Sequence, residues 1–290
     1  MKDFIVKPCL PYTYRRVYYC VKSLLETYGE ILSLEDTYVS EQGRNIYVLK
    51  LGKGVENILF AGAIHGREYV TTSFLLYSAE TYARAWYEDT IIGGRNIRQL
   101  LAENSFYIVV QSNPDSVEIA LGRAKPEVFI RDFCSCEFKD NANGVNINAN
   151  FPFEWQDVPI KRHGGIFAAS EKETKALINL CEKVDFKELI SLHCRGGCIY
   201  WRDGVNGVVP KDIEVSERIA EMCKLSLCGV TEKKEDCAGG FENWFRYRYH
   251  RVGLCVELVD EETADFSICV RDFYRKTDWK NTKNLFTAAV

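Results

Sequence analysis

Apolar residues recur along this chain in long runs that are separated by amphipathic stretches. Three runs, at 57–64, 105–110 and 186–192, are almost continuously apolar, which is typical of strands buried on both faces. Two further runs, at 46–51 and 254–259, also predict strands. The pattern therefore predicts a sheet with a buried centre.

Amphipathic stretches with helical spacing lie between these runs. In the first of them Val17, Val21 and Leu24 recur on one face, and Gly29 follows as a stop signal. The helices predicted in this way cover 12–28, 71–85, 170–184, 213–223 and 280–289. Strands alternating with helices indicate an α/β fold with a parallel or mixed sheet. No repeat or Pro/Gly-rich linker interrupts the pattern, so we expect one domain over residues 1–290.

Composition and charge exclude several classes of protein. The 290 residues are 47% hydrophobic and 27% charged, which excludes a disordered or fibrous chain. The formal net charge of −4 gives no electrostatic reason to expect nucleic acid or an anionic membrane as the main partner. No apolar run approaches the roughly 18–20 residues that span a bilayer, so we expect no membrane span.

The first residues bear on the predicted location. Residues 1–8 lack the apolar segment of a secretory signal, which predicts a cytoplasmic protein. A chain whose leader had been removed would look the same.

Twelve cysteines are spread over the chain, and many lie in apolar stretches. In a long chain without a leader this favours reduced cysteines that serve as small hydrophobic residues. A Cys/His zinc site at Cys194 and Cys198 is not expected, because Cys194 points to the opposite face of a strand that ends at His193. Cys134 and Cys136 would lie two residues apart on one strand, which is poor disulfide geometry.

Two other stretches have structural interpretations. The segment 246–251 mixes arginines with aromatic residues, as nucleic-acid surfaces do. We expect instead an amphipathic helix whose aromatic residues pack and whose arginines face water. His163 is expected to be a loop residue.

Two histidines and one glutamate are predicted to meet at one edge of the sheet. His65 follows the first buried run, and Glu68 comes three residues later, where the chain can turn so that both reach one cation. That spacing alone also fits a surface turn. His193, however, ends the run at 186–192, and the carboxyl ends of strands are where sites gather in open α/β sheets. Two histidines and a glutamate leave a fourth position for water, which is typical of a catalytic zinc.

Glu257 is a carboxylate inside an apolar strand. Such a group is costly unless it is paired or functional, so it is either a partnered structural glutamate or a general base. As a base it would take a proton from water bound to the metal.

Four segments in a fixed order carry a resemblance to a known family. They are 65–68 (HGRE), 144–152 (GVNINANFP), 191–193 (SLH) and 256–258 (VEL). Together they resemble the zinc carboxypeptidase family, the M14 metallopeptidases, from about residue 12 to at least residue 260. The resemblance implies a mixed, roughly eight-stranded twisted sheet flanked by helices, with zinc at the carboxyl ends of central strands.

The same resemblance implies roles for individual residues. His65, Glu68 and His193 match the ligands of one zinc ion, and Glu257 matches the general acid/base. Lys139, in the segment 138–144, occupies the position of a basic residue that stabilises the oxyanion. Arg67 and Asn148 match family residues that contact the substrate.

One departure from the family pattern concerns specificity. Carboxypeptidases of the family carry Asn-Arg where this chain has Asn148-Ala149, and alanine cannot grip a terminal carboxylate. This loss, with His193-x-Arg195-Gly and then Ile-Tyr-Trp at 199–201, is similar to the bacterial γ-D-glutamyl-L-diamino-acid (murein peptide) endopeptidases. Arg195 and Arg67 are then the nearest cations in sequence for the substrate's carboxylates, although Arg195 could also form a structural salt bridge.

These observations predict a zinc metallopeptidase that cleaves an amide bond of a peptide or muropeptide substrate. Murein peptides, cut at the γ-D-glutamyl bond, are the expected substrate. Two alternatives remain open. One is an ordinary zinc carboxypeptidase with a relocated carboxylate anchor, and the other is a non-catalytic zinc-containing protein that binds a peptide or muropeptide.

Overall fold

A mixed eight-stranded sheet organises the molecule. The computed structural model describes residues 3–131, 133–259 and 278–290. The strands found there are β1 (Leu32–Val39), β2 (Asn45–Gly52), β3 (Glu56–Ala61), β4 (Ile91–Ile92), β5 (Arg95–Asn96), β6 (Asn104–Val109), β7 (Phe186–His193), β8 (Cys198–Tyr200), β9 (Ser226–Leu227) and β10 (Val252–Glu257). The large sheet has the order β1-β2-β6-β3-β7-β10-β8-β9, while β4 and β5 pair separately.

The central strands of this sheet run parallel. β3 pairs in parallel with β6 and β7, and β7 pairs in parallel with β10. The pairs β1–β2, β2–β6 and β10–β8 are antiparallel, and the edge pair β8–β9 is parallel. The carboxyl ends of β6, β3, β7 and β10 therefore lie at one edge, where sites gather in open α/β sheets. The predicted α/β fold with a mixed sheet is confirmed.

Helices cover both faces of the sheet. They are α1 (Tyr14–Tyr28), α2 (Val70–Glu88), α3 (Ile97–Glu103), α4 (Pro114–Ala120), α5 (Lys172–Lys183), α6 (Asp212–Cys223), α7 (Lys234–Cys237) and α8 (Phe241–Tyr249), with two short helices at Asp278–Thr282 and Leu285–Ala288. One core cluster packs α1, α2 and α6 against the sheet, and a second packs α5 and α8 against the other face. Among the described residues, every helix is too short or too polar to cross a bilayer.

α1 shows how the local sequence builds these layers. Thr13 caps the helix, since its Oγ1 accepts a hydrogen bond from the Arg16 amide at 3.3 Å. Val17, Val21 and Leu24 bury one face of the helix. The amphipathic pattern is thus satisfied by packing on the sheet.

The differences from the predicted elements lie mainly at the sheet edges. β1 buries little more than one end, so its sequence lacks the apolar run of a central strand, and β8 and β9 span only three and two residues. α4 is not among the predicted helices, and Pro114 occupies its first turn. The helix predicted at 280–289 is instead the two short helices at the end of the described chain.

The expectation that the arginines of segment 246–251 face water is wrong for Arg246. Its side chain is 1% exposed, and its two terminal nitrogens donate to the Asp212 carboxylate at 2.5 and 2.8 Å. Arg248 is exposed, as expected. A buried carboxylate on α6 therefore accounts for an arginine that the helical pattern alone assigned to the surface.

The cysteines follow the predicted pattern in one case and depart from it in another. Cys194 lies in the core cluster on the face opposite His193, as predicted. Cys134 and Cys136 do not lie on a strand, because a 3₁₀ turn at Ser135–Glu137 brings their sulfurs to 3.0 Å. The premise that they share a strand is therefore wrong.

We expect Glu188→Gln to stabilise the protein at pH 8 but hardly at pH 5. Glu188 on β7 is buried, and its Oε2 meets no hydrogen-bond partner among the described residues. Burial, opposed by Arg218 and Lys211 and reinforced by Glu214, raises the pKa of Glu188 to about 7. Between the usual carboxyl pKa and about pH 7, the Glu188 carboxyl is protonated in the folded protein but ionised in the unfolded chain. The free energy of unfolding therefore falls as the pH rises through that window.

Glutamine removes the cost of burying an ionised carboxylate at this position, which is about 1–3 kcal/mol at pH 8. Thermal unfolding at the two pH values measures it, and a gain of this size corresponds to several degrees in Tm. Glu217→Gln, at an exposed position of α6, is the matched control. An equal change of Tm at both pH values would contradict the assignment.

Candidate active site

Three ligand groups meet at the carboxyl edge of the sheet. His65 follows β3, Glu68 ends the 3₁₀ turn Gly66–Glu68, and His193 is the last residue of β7. One ligand atom from each lies within 4.8 Å of the other two. The sequence prediction that these residues converge therefore agrees with the geometry.

The loop that carries His65 and Glu68 packs tightly on α4. A side-chain carbon at Gly66 would lie 2.3 Å from the backbone oxygen of Ser116, a distance that no other residue could tolerate. The amides of Gly66 and Arg67 donate to the carbonyls of Lys139 and Phe138 at 3.4 and 3.0 Å. These protein contacts fix the position of the loop.

Both histidines present the same ring nitrogen to the carboxylate. His65 Nδ1 lies 2.8 Å from Glu68 Oε1, and His193 Nδ1 lies 3.1 Å from Glu68 Oε2. Glu68 and His193 are buried, whereas the His65 side chain keeps 14% exposure. A cation placed among these atoms would still be reached from the side of His65.

The outer ring nitrogens have their own partners. His65 Nε2 lies 3.1 Å from Asn146 Oδ1, and His193 Nε2 lies 3.1 Å from Ser191 Oγ. Asn146 Oδ1 also accepts the Asn148 amide at 3.0 Å, which fixes the oxygen toward His65. His65 Nε2 must then donate, and its Nδ1 lone pair is left for a metal.

The electrostatics of the cluster favour a bound cation. Burial alone would raise the pKa of Glu68, but the two imidazoles hold it well below its usual range. Burial opposes the charged form of His193, yet the hydrogen bond and charge of Glu68 raise the pKa of His193 to about 9. Two imidazole nitrogens and a carboxylate, with room for a fourth ligand, suit zinc in a catalytic site.

Glu257 lies directly beside this cluster. It is the last residue of β10 and pairs in register with His193 on β7. Its carboxylate comes within 4.8 Å of the His193 ring, and its Oε2 is buried without a hydrogen-bond partner in the described part of the chain. Burial first, and then the charge of Glu68, raise the pKa of Glu257 to about 8.

Two cavities are lined by residues of the predicted site. The first, of about 860 Å³, is lined by Arg67, Lys139, Asp140 and His163, where His163 Nδ1 lies 2.6 Å from Asp140. Arg67 also forms an ion pair of 3.0 Å with Glu137. Arg67 and Lys139 thus line the same cavity, with Arg67 next to Glu68 in sequence, and their roles toward a substrate stay predictions. His163 lies in a loop as predicted.

The second cavity, of about 390 Å³, begins at Glu257. Asn148, Arg162, Arg202 and Glu242 line it. Asn148 Oδ1 accepts the amide of Phe241 at 2.8 Å, which fixes the asparagine at the wall.

Two further residues bear on specificity: Ala149, which stands where other family members carry an arginine, and Arg195. Ala149 is fully buried, with its backbone against Gly239. Arg195, half-buried in the loop after β7, is absent from the linings of the two cavities among the residues that the structure describes.

Several residues of the site are not predicted by the sequence. Ser191 could have been found, because it lies two residues before His193 and so on the same face of β7. The other residues lie in loops or on α8, and no local spacing links them to the ligands. They are Asn146, Arg162, Arg202 and Glu242.

The fold and the ligand set define a metallohydrolase site at the edge of a mixed α/β sheet. A family model described as zinc carboxypeptidase, Peptidase M14, matches residues 17–281. The chain belongs to this family of zinc metallopeptidases. The resemblance seen in the sequence is confirmed.

Known proteins of related sequence and structure agree with this membership. A gamma-D-glutamyl-L-diamino acid endopeptidase 1 of Lysinibacillus sphaericus is 25% identical over 225 residues, which cover 72% of this chain and 56% of that protein. Bovine thrombin-activatable fibrinolysis inhibitor, solved with a tick carboxypeptidase inhibitor, superposes with a TM-score of 0.78 at 18% identity over 97% of both chains. Murein-tripeptide amidase MpaA from Escherichia coli O157 superposes with a TM-score of 0.52 at 19% identity, over 84% of this chain and 92% of that one. The chain spans 56% to 67% of the length of two curated bacterial relatives that it matches.

Proposed function

We propose that this protein is a zinc-dependent peptidase that hydrolyses the γ-D-glutamyl bond to a diamino acid in bacterial murein peptides. The observation that carries the hydrolytic part is the position of Glu257. Its carboxylate lies within 4.8 Å of a ligand atom of His193, on the adjacent strand and in register. A base this close to a ligand of the metal can reach a water held by that metal.

His65, Glu68 and His193 would hold the metal through Nδ1, the carboxylate and Nδ1. Zinc in such a site supplies a water of lowered pKa and polarises the scissile carbonyl. Glu257 takes the proton of the attacking water on its carboxylate and then delivers it to the leaving nitrogen. The ammonium group of Lys139 stabilises negative charge on the carbonyl oxygen. Arg67 and Asn148 contact the substrate.

The substrate assignment rests on two observations. The Lysinibacillus relative is named for the γ-D-glutamyl-L-diamino acid bond. Ala149 offers no guanidinium for a terminal carboxylate. A second candidate function, an ordinary carboxypeptidase with a relocated anchor, is favoured by one observation: Arg162 and Arg202 line the cavity next to Glu257.

We expect the zinc-loaded protein to cleave L-Ala-γ-D-Glu-diamino acid tripeptides at the γ-D-glutamyl bond. It should act poorly on hippuryl-type substrates that end in an ordinary L-amino acid, because the usual anchor at position 149 is missing. Mass spectrometry of both digests identifies the bond that is cut. Efficient trimming of the hippuryl substrates with no action on muropeptides would establish the carboxypeptidase instead. Saturable binding of muropeptides without cleavage would establish a non-catalytic binding protein.

The same assay tests the role that the sequence predicts for Arg195, a contact with a carboxylate of the substrate. Arg195→Ala should raise KM for the muropeptide about 30-fold or more, the factor that corresponds to losing one partner of a hydrogen-bonded charge pair. Arg248→Ala, an exposed arginine on α8, is the control. A KM unchanged in Arg195→Ala would remove this residue from the substrate site.

A further inference from the structure

The second cavity contains charged groups that the chemistry at Glu257 does not use. Three guanidinium groups, of Arg162, Arg202 and Arg246, line it, and so does the buried carboxylate of Glu242. Its volume of about 390 Å³ lies in the range of small-molecule sites. Which of these charges already have protein partners decides what the cavity can bind.

Two of the three arginines have extensive protein partners. Arg246 donates through both terminal nitrogens to Asp212 and to the Gly207 carbonyl, while its Nε makes no hydrogen bond among the described residues and lies 3.9 Å from Asp203 Oδ2. Arg162 donates to three backbone carbonyls, those of Asn148, Glu235 and Asp236. Both arginines therefore brace the loops that form the wall.

Arg202 is bound differently. Its guanidinium carbon lies 4.7 Å from the centre of the Trp201 ring, which holds the group in place through its face. Its Nε is buried and meets no hydrogen-bond acceptor among the described residues. A buried donor without an acceptor is costly unless a ligand supplies one, and a carboxylate matches a guanidinium best.

Glu242 is the complementary case. The residue is only 9% exposed, and its Oε2 meets no hydrogen-bond donor within the described ranges. Asp203, another acid of the lining, differs because its carboxylate accepts from the side chains of Asn206 and Asn243. An ammonium group of a ligand would satisfy the unpaired oxygen of Glu242.

We propose that the second cavity holds a zwitterionic amino-acid head, with its carboxylate on Arg202 and its ammonium against Glu242. Arg202 is then a carboxylate anchor supplied by the segment after β8. The assignment of this head to the leaving group rests on the proposed function. It makes the preferred leaving group a diamino acid with a second carboxylate, and it makes lysine, which carries only an ammonium group at that end, a poorer one.

The test combines removal of a group from the protein with removal of its partner from the ligand. The probes are meso-diaminopimelate, L-lysine, which lacks the second carboxylate, and L-2-aminopimelate, which lacks the second ammonium group. Each is acetylated on the α-amine of its L-centre, so that only the far end of the ligand can be a zwitterion. Calorimetry measures the binding of each to the full zinc-loaded chain. We expect meso-diaminopimelate to bind about tenfold to a hundredfold more tightly than either analogue.

Each variant should erase one of these preferences. Arg202→Gln should weaken meso-diaminopimelate to the level of lysine and leave lysine binding unchanged. Glu242→Gln should weaken meso-diaminopimelate to the level of 2-aminopimelate. Arg248→Gln, exposed on α8, is the control for loss of an arginine. Glu242→Gln should not lower Tm, because Glu242 Oε2 makes no hydrogen bond within the described residues, whereas a structural role of this carboxylate would lower it.

The outcomes separate this inference from the proposed function. Equal binding of the three probes, no binding of any of them, or an unchanged preference in Arg202→Gln overturns the inference, even if muropeptides are cleaved. The expected pattern of preferences supports the zwitterion site, even if the tripeptide is not cleaved and the proposed hydrolysis is wrong.

Discussion

Glu257→Gln is expected to lower turnover by about 10²–10⁴-fold, the usual cost of losing a general base. Glutamine has nearly the same shape, but it cannot accept a proton from water. The fold and the bound zinc should both persist, because none of the three predicted ligand atoms changes. The kcat on a muropeptide, zinc content by elemental analysis and circular dichroism measure the three properties on one preparation.

A structural glutamate would behave differently. The Oε2 atom of Glu257 is buried and meets no hydrogen-bond partner in the described chain, so neutralising the group should leave Tm unchanged or raise it. Glu217→Gln on the exposed face of α6 controls for the loss of one carboxylate. Activity within a few-fold of the unaltered protein, with a lowered Tm, would return Glu257 to the partnered structural role.

Burial on both faces explains why the centre of the fold could be predicted from the sequence. β3, β6 and β7 pack helices on each side, so nearly every position is apolar and the runs are visible without knowledge of the partners. β8 and β9 lie at an edge and are only three and two residues long, so no periodicity can develop. Their existence depends on pairing with β10 and with each other.

In the candidate site, too, some residues could be predicted from the sequence and others could not. His65, His193 and Glu257 follow or end central strands, and the rule that sites gather at carboxyl ends of strands finds them. Arg202 and Glu242 line one cavity because the loop after β8 and the first turn of α8 both border it. That arrangement is a property of the tertiary structure, and no spacing along the chain encodes it.

His193→Ala is expected to abolish stoichiometric zinc binding, from one ion per chain to well below one. The remaining pair, His65 and Glu68, would hold the metal through two protein ligands instead of the three that catalytic zinc sites use. Glu68 Oε2 would lose its contact with the imidazole and keep the Cys194 amide at 3.3 Å. Activity should fall with the metal, since the attacking water depends on it.

A graded control separates loss of a ligand from general damage at the edge of the sheet. Ser191→Ala removes only the partner of the outer nitrogen of His193, and such outer contacts are typically worth about 10–100-fold in metal affinity. Zinc competition with a chelator should therefore order the proteins as unaltered, Ser191→Ala, then His193→Ala. Ser191 is fully buried on the same strand, so Ser191→Ala reports the effect of a change inside this strand while both ring nitrogens of His193 remain. If His193→Ala retained a full zinc ion while Ser191→Ala lost it, His193 would not be a ligand, and the metal would have to be held by Glu68 with other groups.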